Sequence, residues 1–421
     1  MAAGYKKLPQ IDSKLVELAN TVVDAKRNGI QKNVHSLRTP DNTGPPGNAS
    51  QNVSYAVCFS IVFRLPLPDD FHVHLRQGER LPLYVRDHAA TFGRGLVMPN
   101  TVPPVSTASG VIEYRRQLEA GMGSHSFEPL MTFKLLSDHD PDTVHAIVDA
   151  GVSAAKYYPR GATTNSEDGI EDLRSLYPAI AVLEERDVVL SLHGEDPGAF
   201  CLERERAFLP HLEELVKRFP RLRIVLEHVS TKAGVEAVRM LPENVAGSIT
   251  AHHLVLTLDD VVGGLINPHY HCKPILKTPE DQRALREAAV SGERNFFFGS
   301  DSAPHRRGDK ECACGCAGVY TAPVAVPVLA SVFEHDCGDP DNEASDHAAQ
   351  SWQDRAGAVS PPLWVQRLQA FMCENGRRFY RLPPAQSEIS LIAQEWQVPE
   401  IYHDVVPLFA GRRLRWRAQR L

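Results

Sequence analysis

The chain has 421 residues, 43% of them hydrophobic and 23% charged, with a formal net charge of −7. This is the composition of a globular protein with a large core. The acidic balance excludes a general nucleic-acid binder, which needs a basic face, and the lack of any apolar run long enough to span a bilayer excludes a membrane-spanning class.

Residues 1–60 read as an extension outside the core. Its start lacks the basic-then-apolar plan of a secretory signal, and Asp12, Glu17 and Asp24 fit poorly with an acid-poor transit peptide. Leucine and valine recur at helical spacing over Lys14–Arg27, so one amphipathic helix is expected there. The Pro/Gly/Asn/Thr-rich stretch "RTPDNTGPPGNASQN" that follows reads as a linker.

From residue 61 onward, short apolar or β-branched runs alternate with helix-like segments, the rhythm of βα units around a parallel sheet. The expected strands are "FHVHLR" (71–76), "RGLVMPN" (94–100), "EPLMTFKL" (128–135), "SAAKYYP" (153–159), "VVLSLHGE" (188–195), "RIVLEHV" (223–229), "VAGSITAHHL" (245–254) and "NFFFGSDSAPH" (295–305). Segments such as "ASGVIEYRRQLEAG" and "PEDQRALREAAVSG" read as the helices between them. Eight strands with helical crossovers predict an α/β fold, a (β/α)8 TIM-type barrel over residues 61–421. A polar, acidic stretch at about 335–362 has few large apolar residues and reads as a surface insertion.

Polar residues gather at the C-terminal ends of these strands: His72 and His74, Asn100, Lys156, His193, His228, then Asp301 and His305. In a barrel those ends share one mouth, where active sites are built. Strand side chains alternate faces, so His72 and His74 aim at the axis while Val73 turns to the helical layer. Two neutral imidazoles on one strand suit zinc. A lone HxH is better explained by one hydrogen-bonded histidine and one exposed; the further ligand-type residues argue for a metal centre. Lys156 is the odd member, since an ammonium repels a metal. Either it carries carbon dioxide as a carbamate, whose two oxygens can bridge two metals, or it reaches an acidic partner or a substrate carboxylate.

The eight cysteines are sparse, which favours a reducing, cytoplasmic setting. Three crowd into "ECACGCAG" (Cys312, Cys314, Cys316) with single-residue gaps, tighter than paired zinc ligands usually stand. A tight glycine-containing loop is the simpler expectation. The segment Arg160–Gly169, "RGATTNSEDG", has the composition of a mobile loop and directly follows the strand of Lys156.

The motifs "PDDFHVHLRQGE", "GLVMPNTVPPV", "AAKYYPRGATTNSEDGI", "LHGE", "LEHVSTK", "PILK", "GSDSAPHRRGDKECACGCAG" and "VPLFAGRRLRW" resemble those of dihydroorotases of the stand-alone bacterial and fungal type, in the amidohydrolase superfamily. The resemblance covers about residues 63–334 and 363–421. Phe71 stands where tryptophan is common in the family, a change that should be tolerated. The resemblance implies two zinc ions bridged by a carboxylated Lys156 and a hydroxide. His72, His74 and Asp301 would hold one zinc, and His193 and His228 the other. Asp301 would also move the proton as general acid/base. The implied reaction is the reversible cyclisation of N-carbamoyl-L-aspartate to dihydroorotate, a step of pyrimidine synthesis, in a cytoplasmic homodimer. Arg76, Asn100 and His305, with backbone at Ala317, would hold the substrate carboxylate. Backbone near Lys273 would read the ring amide, and Thr163 and Thr164 would donate hydroxyls from a loop that closes. His253 would support the site without ligating metal. The cysteine-rich loop would then serve to present Ala317.

Two other readings compete. A hydantoinase or allantoinase would share the metal ligands but would not be expected to keep Arg76, Asn100 and His305 together. A catalytically dead barrel serving as an assembly partner would be expected to have lost ligands, and here every one stands.

Overall fold

The computed structural model describes residues 61–162, 166, 168–313, 315–337 and 360–421. The expected extension at 1–60, Thr163, Thr164, Cys314 and the stretch 338–359 of the insertion lie outside these residues. Eight parallel strands form one sheet in sequential order: β2 (Asp69–Val73), β3 (Arg94–Val97), β4 (Glu128–Lys134), β5 (Ala154–Tyr157), β6 (Val189–Leu192), β7 (Ile224–Leu226), β8 (Val245–Ile249) and β9 (Phe296–Phe298). The sheet closes just past the end of β9. There Asp301 N donates to His72 O at 2.8 Å and His74 N donates to Ser302 O at 3.0 Å. The expected eight-stranded barrel is therefore observed.

Four of the crossover helices carry their own start signal. Thr107, Asp140, Thr231 and Thr278 accept a backbone N–H from the first turn that follows them. At Thr278 the cap is reciprocal, with Asp281 returning a bond to the Thr278 backbone. Helix Pro279–Ser291 stops at Gly292, whose φ of 81° is the left-handed conformation that glycine adopts freely.

Strand alternation divides the apolar residues into two layers. One set, including Val97, Phe133, Leu190, Leu192, Leu226 and Ile249, packs outward beneath the helices. The other, Phe71, Leu96, Leu130, Ala154, Val189, Val225, Ala246 and Phe297, fills the barrel interior near the strand starts. Tyr380, from the segment after the C-terminal helices, stacks on Phe71 with ring centroids 4.8 Å apart. Burying each large apolar side chain contributes roughly 1.5–3 kcal/mol. The interior is thus packed with apolar side chains toward its base, where the buried Arg94 pairs with Asp69 at 3.2 Å, and the site residues gather at the opposite mouth.

Three features depart from the sequence reading. Most strands are shorter than expected, so many site residues lie just past them. The expected strand 245–254 divides at Thr250, which caps a short helix, Ala251–Val255. A second sheet also exists: β1 (Val62–Pro66), β10 (Glu388–Gln397) and β11 (Arg413–Arg420) pair antiparallel in the order β1–β10–β11. It joins the two ends of the described chain beside the barrel.

Candidate metal centre

The mouth of the barrel holds a cavity lined by His72, His74, Arg76, Asn100, Tyr158, His193, His228, Lys273, Asp301, Ala303, Ala317 and Gly318. Of the expected site residues, Lys156 lies beneath this floor, fully buried, and His305 lies at its side. Thr163 and Thr164 are outside the described residues. The rest converge as expected.

The first strand delivers both of its histidines through an irregularity. Asp70 pairs with Gly95 and Val73 with Val97, so two residues, Phe71 and His72, stand opposite Leu96 alone. Such a bulge resets the alternation. Phe71 points into the interior base, His72 into the mouth above it, Val73 outward and His74 inward. Asp70 anchors the bulge by accepting His72 N at 3.0 Å and Ser300 N at 2.8 Å. Arg76, included in the expected strand 71–76, lies beyond the observed one. The strand ends at Val73, and Arg76 has φ 59°, so its approach comes from a left-handed turn and not from strand alternation. Two further site residues adopt positive φ: His228 at 42° and Asp301 at 44°. Non-glycine residues in this region carry strain, which concentrates at functional sites.

His72, His74 and Asp301 offer donor atoms that all lie within 4.8 Å of one another. Asp301 Oδ1 is 2.9 Å from His74 Nε2 and 3.5 Å from His72 Nε2. Burial opposes ionisation of Asp301, but the hydrogen bond with His74 and the neighbouring imidazoles hold its carboxyl well below the usual range. Across the mouth, His193 Nδ1 and His228 Nε2 face each other at 3.2 Å. That is close to the separation of two nitrogens sharing one zinc, roughly 3.3 Å for Zn–N bonds of 2.0–2.1 Å in a tetrahedral site. Burial drives His228 far below the ordinary histidine range, so its imidazole is the neutral form a metal requires.

Lys156 Nζ has no hydrogen-bond partner among the described residues. An orphaned, fully buried amine is costly unless something else satisfies it. Burial pushes it down to about 8, against the pull of Glu227 and Asp301. A carbamate forms only on the neutral amine, and this environment enriches that form. The residues present thus fit two metal ions with a carboxylated lysine between them.

Three carboxylates that sequence reasoning passed over orient these ligands. Glu227 accepts from His72 Nδ1 at 3.0 Å, from Ser191 Oγ at 2.7 Å and from Ser248 Oγ at 2.5 Å. Accepting from Nδ1 fixes the proton there and leaves His72 Nε2 free as a ligand. Glu195 lies 2.8 Å from His193 Nε2 and does the same for Nδ1 of that ring. Glu205 accepts from the backbone and hydroxyl groups of both Ser230 and Thr231, pinning the loop just after His228. Glu195 and Glu227 stood inside "LHGE" and "LEHV", where a carboxylate near a histidine was the available signal.

His253 turns Nδ1 to Thr250 Oγ1 at 2.8 Å and Nε2 to Pro274 O at 3.2 Å, and Cys272 Sγ also donates to Pro274 O. It braces the segment carrying Lys273. On the far side, Arg76 donates Nε to Pro304 O at 3.1 Å, and its NH2 group lies 2.7 Å from His305 Nε2. His305 Nε2 is also 2.9 Å from Ala317 O. One ring nitrogen cannot serve both: it either accepts from Arg76 or donates to Ala317. Burial and the Arg76 charge push His305 down to about 2, so it is neutral and this choice is one of tautomer.

The amidohydrolase family model matches residues 69–382. The dihydroorotase of Teredinibacter turnerae is 42% identical over 361 residues, spanning 84% of this chain and 97% of its own. Among solved structures, the Saccharomyces cerevisiae dihydroorotase in complex with 5-fluoroorotic acid matches with a TM-score of 0.74 and 33% identity, over 85% of this chain and 98% of that one. The L-hydantoinase of Arthrobacter aurescens matches with a TM-score of 0.66 but 18% identity, over 84% of this chain and 82% of that one, a likeness of fold alone.

Proposed function

This chain belongs to the amidohydrolase family and, within it, to the dihydroorotases, and from that premise we propose a two-zinc mechanism for its reversible cyclisation of N-carbamoyl-L-aspartate to L-dihydroorotate. The observation that carries the proposal is the meeting, at one mouth, of His72, His74 and Asp301, the facing pair His193 and His228, and Arg76 beside His305. His72, His74 and Asp301 would hold one zinc and His193 and His228 the second, with the carboxylated Lys156 and a hydroxide bridging them. Zinc in that position lowers the pKa of water and polarises a carbonyl.

The protein's own groups do the rest. In hydrolysis, water adds to the ring amide carbon and the bond from that carbon to the ring nitrogen breaks. Asp301 takes the proton from the attacking water and hands it to the departing nitrogen; cyclisation runs the same transfer in reverse. Arg76, Asn100 and His305 bind the substrate carboxylate. The planar Arg76 fork suits a carboxylate, which would draw it from its resting contact with His305 and free that ring to donate. Backbone at Ala317 joins them at the carboxylate, and backbone near Lys273 reads the ring amide. Thr163 and Thr164 add hydroxyl donors from the loop after β5.

The same reading treats residues 61–421 as one catalytic domain bearing an extension and an insertion, active as a cytoplasmic homodimer. Described cysteines that are free thiols, Cys201, Cys272, Cys312, Cys316, Cys337 and Cys373, support a reducing compartment. The decisive experiment combines zinc analysis with dihydroorotate turnover in the native protein and in Lys156→Ala. Two zincs per chain, turnover, and loss of both in the variant are expected. A zinc-loaded native protein that leaves dihydroorotate untouched would overturn the proposal.

A further inference from the structure

Lys310 ends the helical turn Arg307–Lys310 and is 3% exposed. Its Nζ donates to His271 O at 2.8 Å and to Gly318 O at 2.6 Å. The two segments it touches also meet directly, with Gly318 N donating to His271 O at 2.9 Å. His271 lies two residues before Lys273, and Gly318 directly follows Ala317. Lys273, Ala317 and Gly318 all face the cavity. A single ammonium therefore ties together the two backbone segments that border the substrate space on this side.

Packing alone does not account for a lysine here. Among the described residues no carboxylate pairs with it. Burial pushes its amine down to about 8, with the Arg76 charge adding to the effect. A methionine would fill the same volume without that penalty, so the charge costs stability and its hydrogen bonds are what it returns. The position it holds is also tightly drawn. Gly318 has φ 146°, and a Cβ there would lie 2.6 Å from the Ala303 Cβ. The Gly318 backbone is pressed against the pocket wall, and Lys310 fixes where its carbonyl points.

We propose that Lys310 is a positioning residue for substrate binding: its ammonium clamps the 271–273 and 317–318 backbones in register so that the first meets the ring amide and the second the substrate carboxylate. It touches neither substrate nor metal, so its loss loosens binding and leaves the chemical step intact. The inference rests on the substrate assignment proposed above.

The test is steady-state kinetics on the zinc-loaded full chain, with zinc content measured alongside. Lys310→Met is expected to raise KM for dihydroorotate by about tenfold, the equivalent of about 1.4 kcal/mol, with kcat within about twofold and zinc unchanged. Lys310→Gln keeps two N–H donors without the charge and should recover most of the lost affinity. Gly318→Ala displaces the carbonyl from the other side and should raise KM in the same way, which keeps the clamp testable if the methionine variant misfolds. An unchanged KM in a folded Lys310→Met or Gly318→Ala overturns the proposal, as does a fall in kcat at constant KM, or equal impairment by Met and Gln. A native protein without dihydroorotate turnover overturns the substrate assignment instead, a result distinct from active protein whose variants bind normally.

Discussion

Glu227 and His228 are adjacent in sequence yet both serve the same mouth. On a regular strand they would face opposite ways. Val225 lies inside, so Glu227 follows it inside by alternation, and the left-handed backbone of His228 brings that ring back over the site. Glu227 fixes the His72 tautomer, and replacing such a partner typically lowers metal affinity 10- to 100-fold. Glu227→Gln should therefore weaken zinc binding by a factor in that range, read by chelator competition; unchanged affinity would mean that the Glu227 charge does not set the His72 tautomer. Arg76→Ala should leave zinc content intact and raise KM, by roughly 10- to 100-fold for the loss of a charged hydrogen bond of about 1.5–3 kcal/mol. Zinc loss in that variant would make Arg76 structural. The identities of the ligand-type residues were legible in the sequence because histidine, lysine and aspartate stood at successive strand ends. Their orienting carboxylates were not, because strict alternation sets Glu227 and His228 on opposite faces, and the reversal comes from a backbone dihedral that no composition records.

At the scale of elements, the bulge in β2 depends on what lies beneath it. Phe71 faces the same interior as His72, and it is held from below by Tyr380 and from the side by Phe297. Gly376 completes this base: a Cβ there would approach the Phe71 ring at 2.3 Å. Gly376→Ala should destabilise the fold by about 1–3 kcal/mol, the usual cost of overpacking, seen as a lower urea midpoint. A midpoint equal to that of the native protein would show that Phe71 can shift freely, and with it the bulge. The eight strands were readable because buried parallel strands are short apolar runs between helical patterns. Their ends were less so. In "VAGSITAHHL" the Thr250 cap turns the second half into a helix, although its apolar composition suits either state. The β1–β10–β11 sheet escaped notice for another reason. "RLRWRAQR" does alternate, burying Leu414 and Trp416 between exposed arginines. Residues 398–412 separate it from its partner β10, however, and β10's other partner, β1, lies at the opposite end of the described chain, so no tight-turn signal marks either pairing.

For the molecule as a whole, burial of ionisable groups inside the packed shell sets how stability responds to pH. His88, on the helix that follows β2, stacks on Phe92 and is pushed by burial down to about 3. Asp70, whose Oδ2 lies 3.7 Å from His88 Nε2, is pushed by burial up to about 7. Both shifts favour the neutral form, and they act on stability with opposite signs. Below about pH 6.5 the unfolded chain protonates His88 while the folded chain does not, so that contribution is lost as pH falls. Asp70 is the reverse: its folded form keeps a proton that the unfolded chain releases above about pH 4, so its contribution is lost as pH rises toward 7. In the native protein the two slopes offset each other between about pH 4 and 6.5. Removing one partner should expose the other. The stability advantage of native protein over His88→Leu should shrink as pH falls from 6.5 to 4, by up to about 3 kcal/mol at 1.36 kcal/mol per unit. The comparison with Asp70→Asn, which preserves the acceptor used by His72 N and Ser300 N, should run the other way. Native protein should lose ground as pH rises from 4 to 7, by up to about 4 kcal/mol on the same scale. Urea unfolding of zinc-saturated protein across this range reads both, and because metal uptake is common to all three proteins its own pH dependence cancels in the differences. Parallel curves for native and variant proteins would mean that Asp70 and His88 are ionised as a pair in the folded state, and the interior would then contain a salt bridge where burial alone favours two neutral groups.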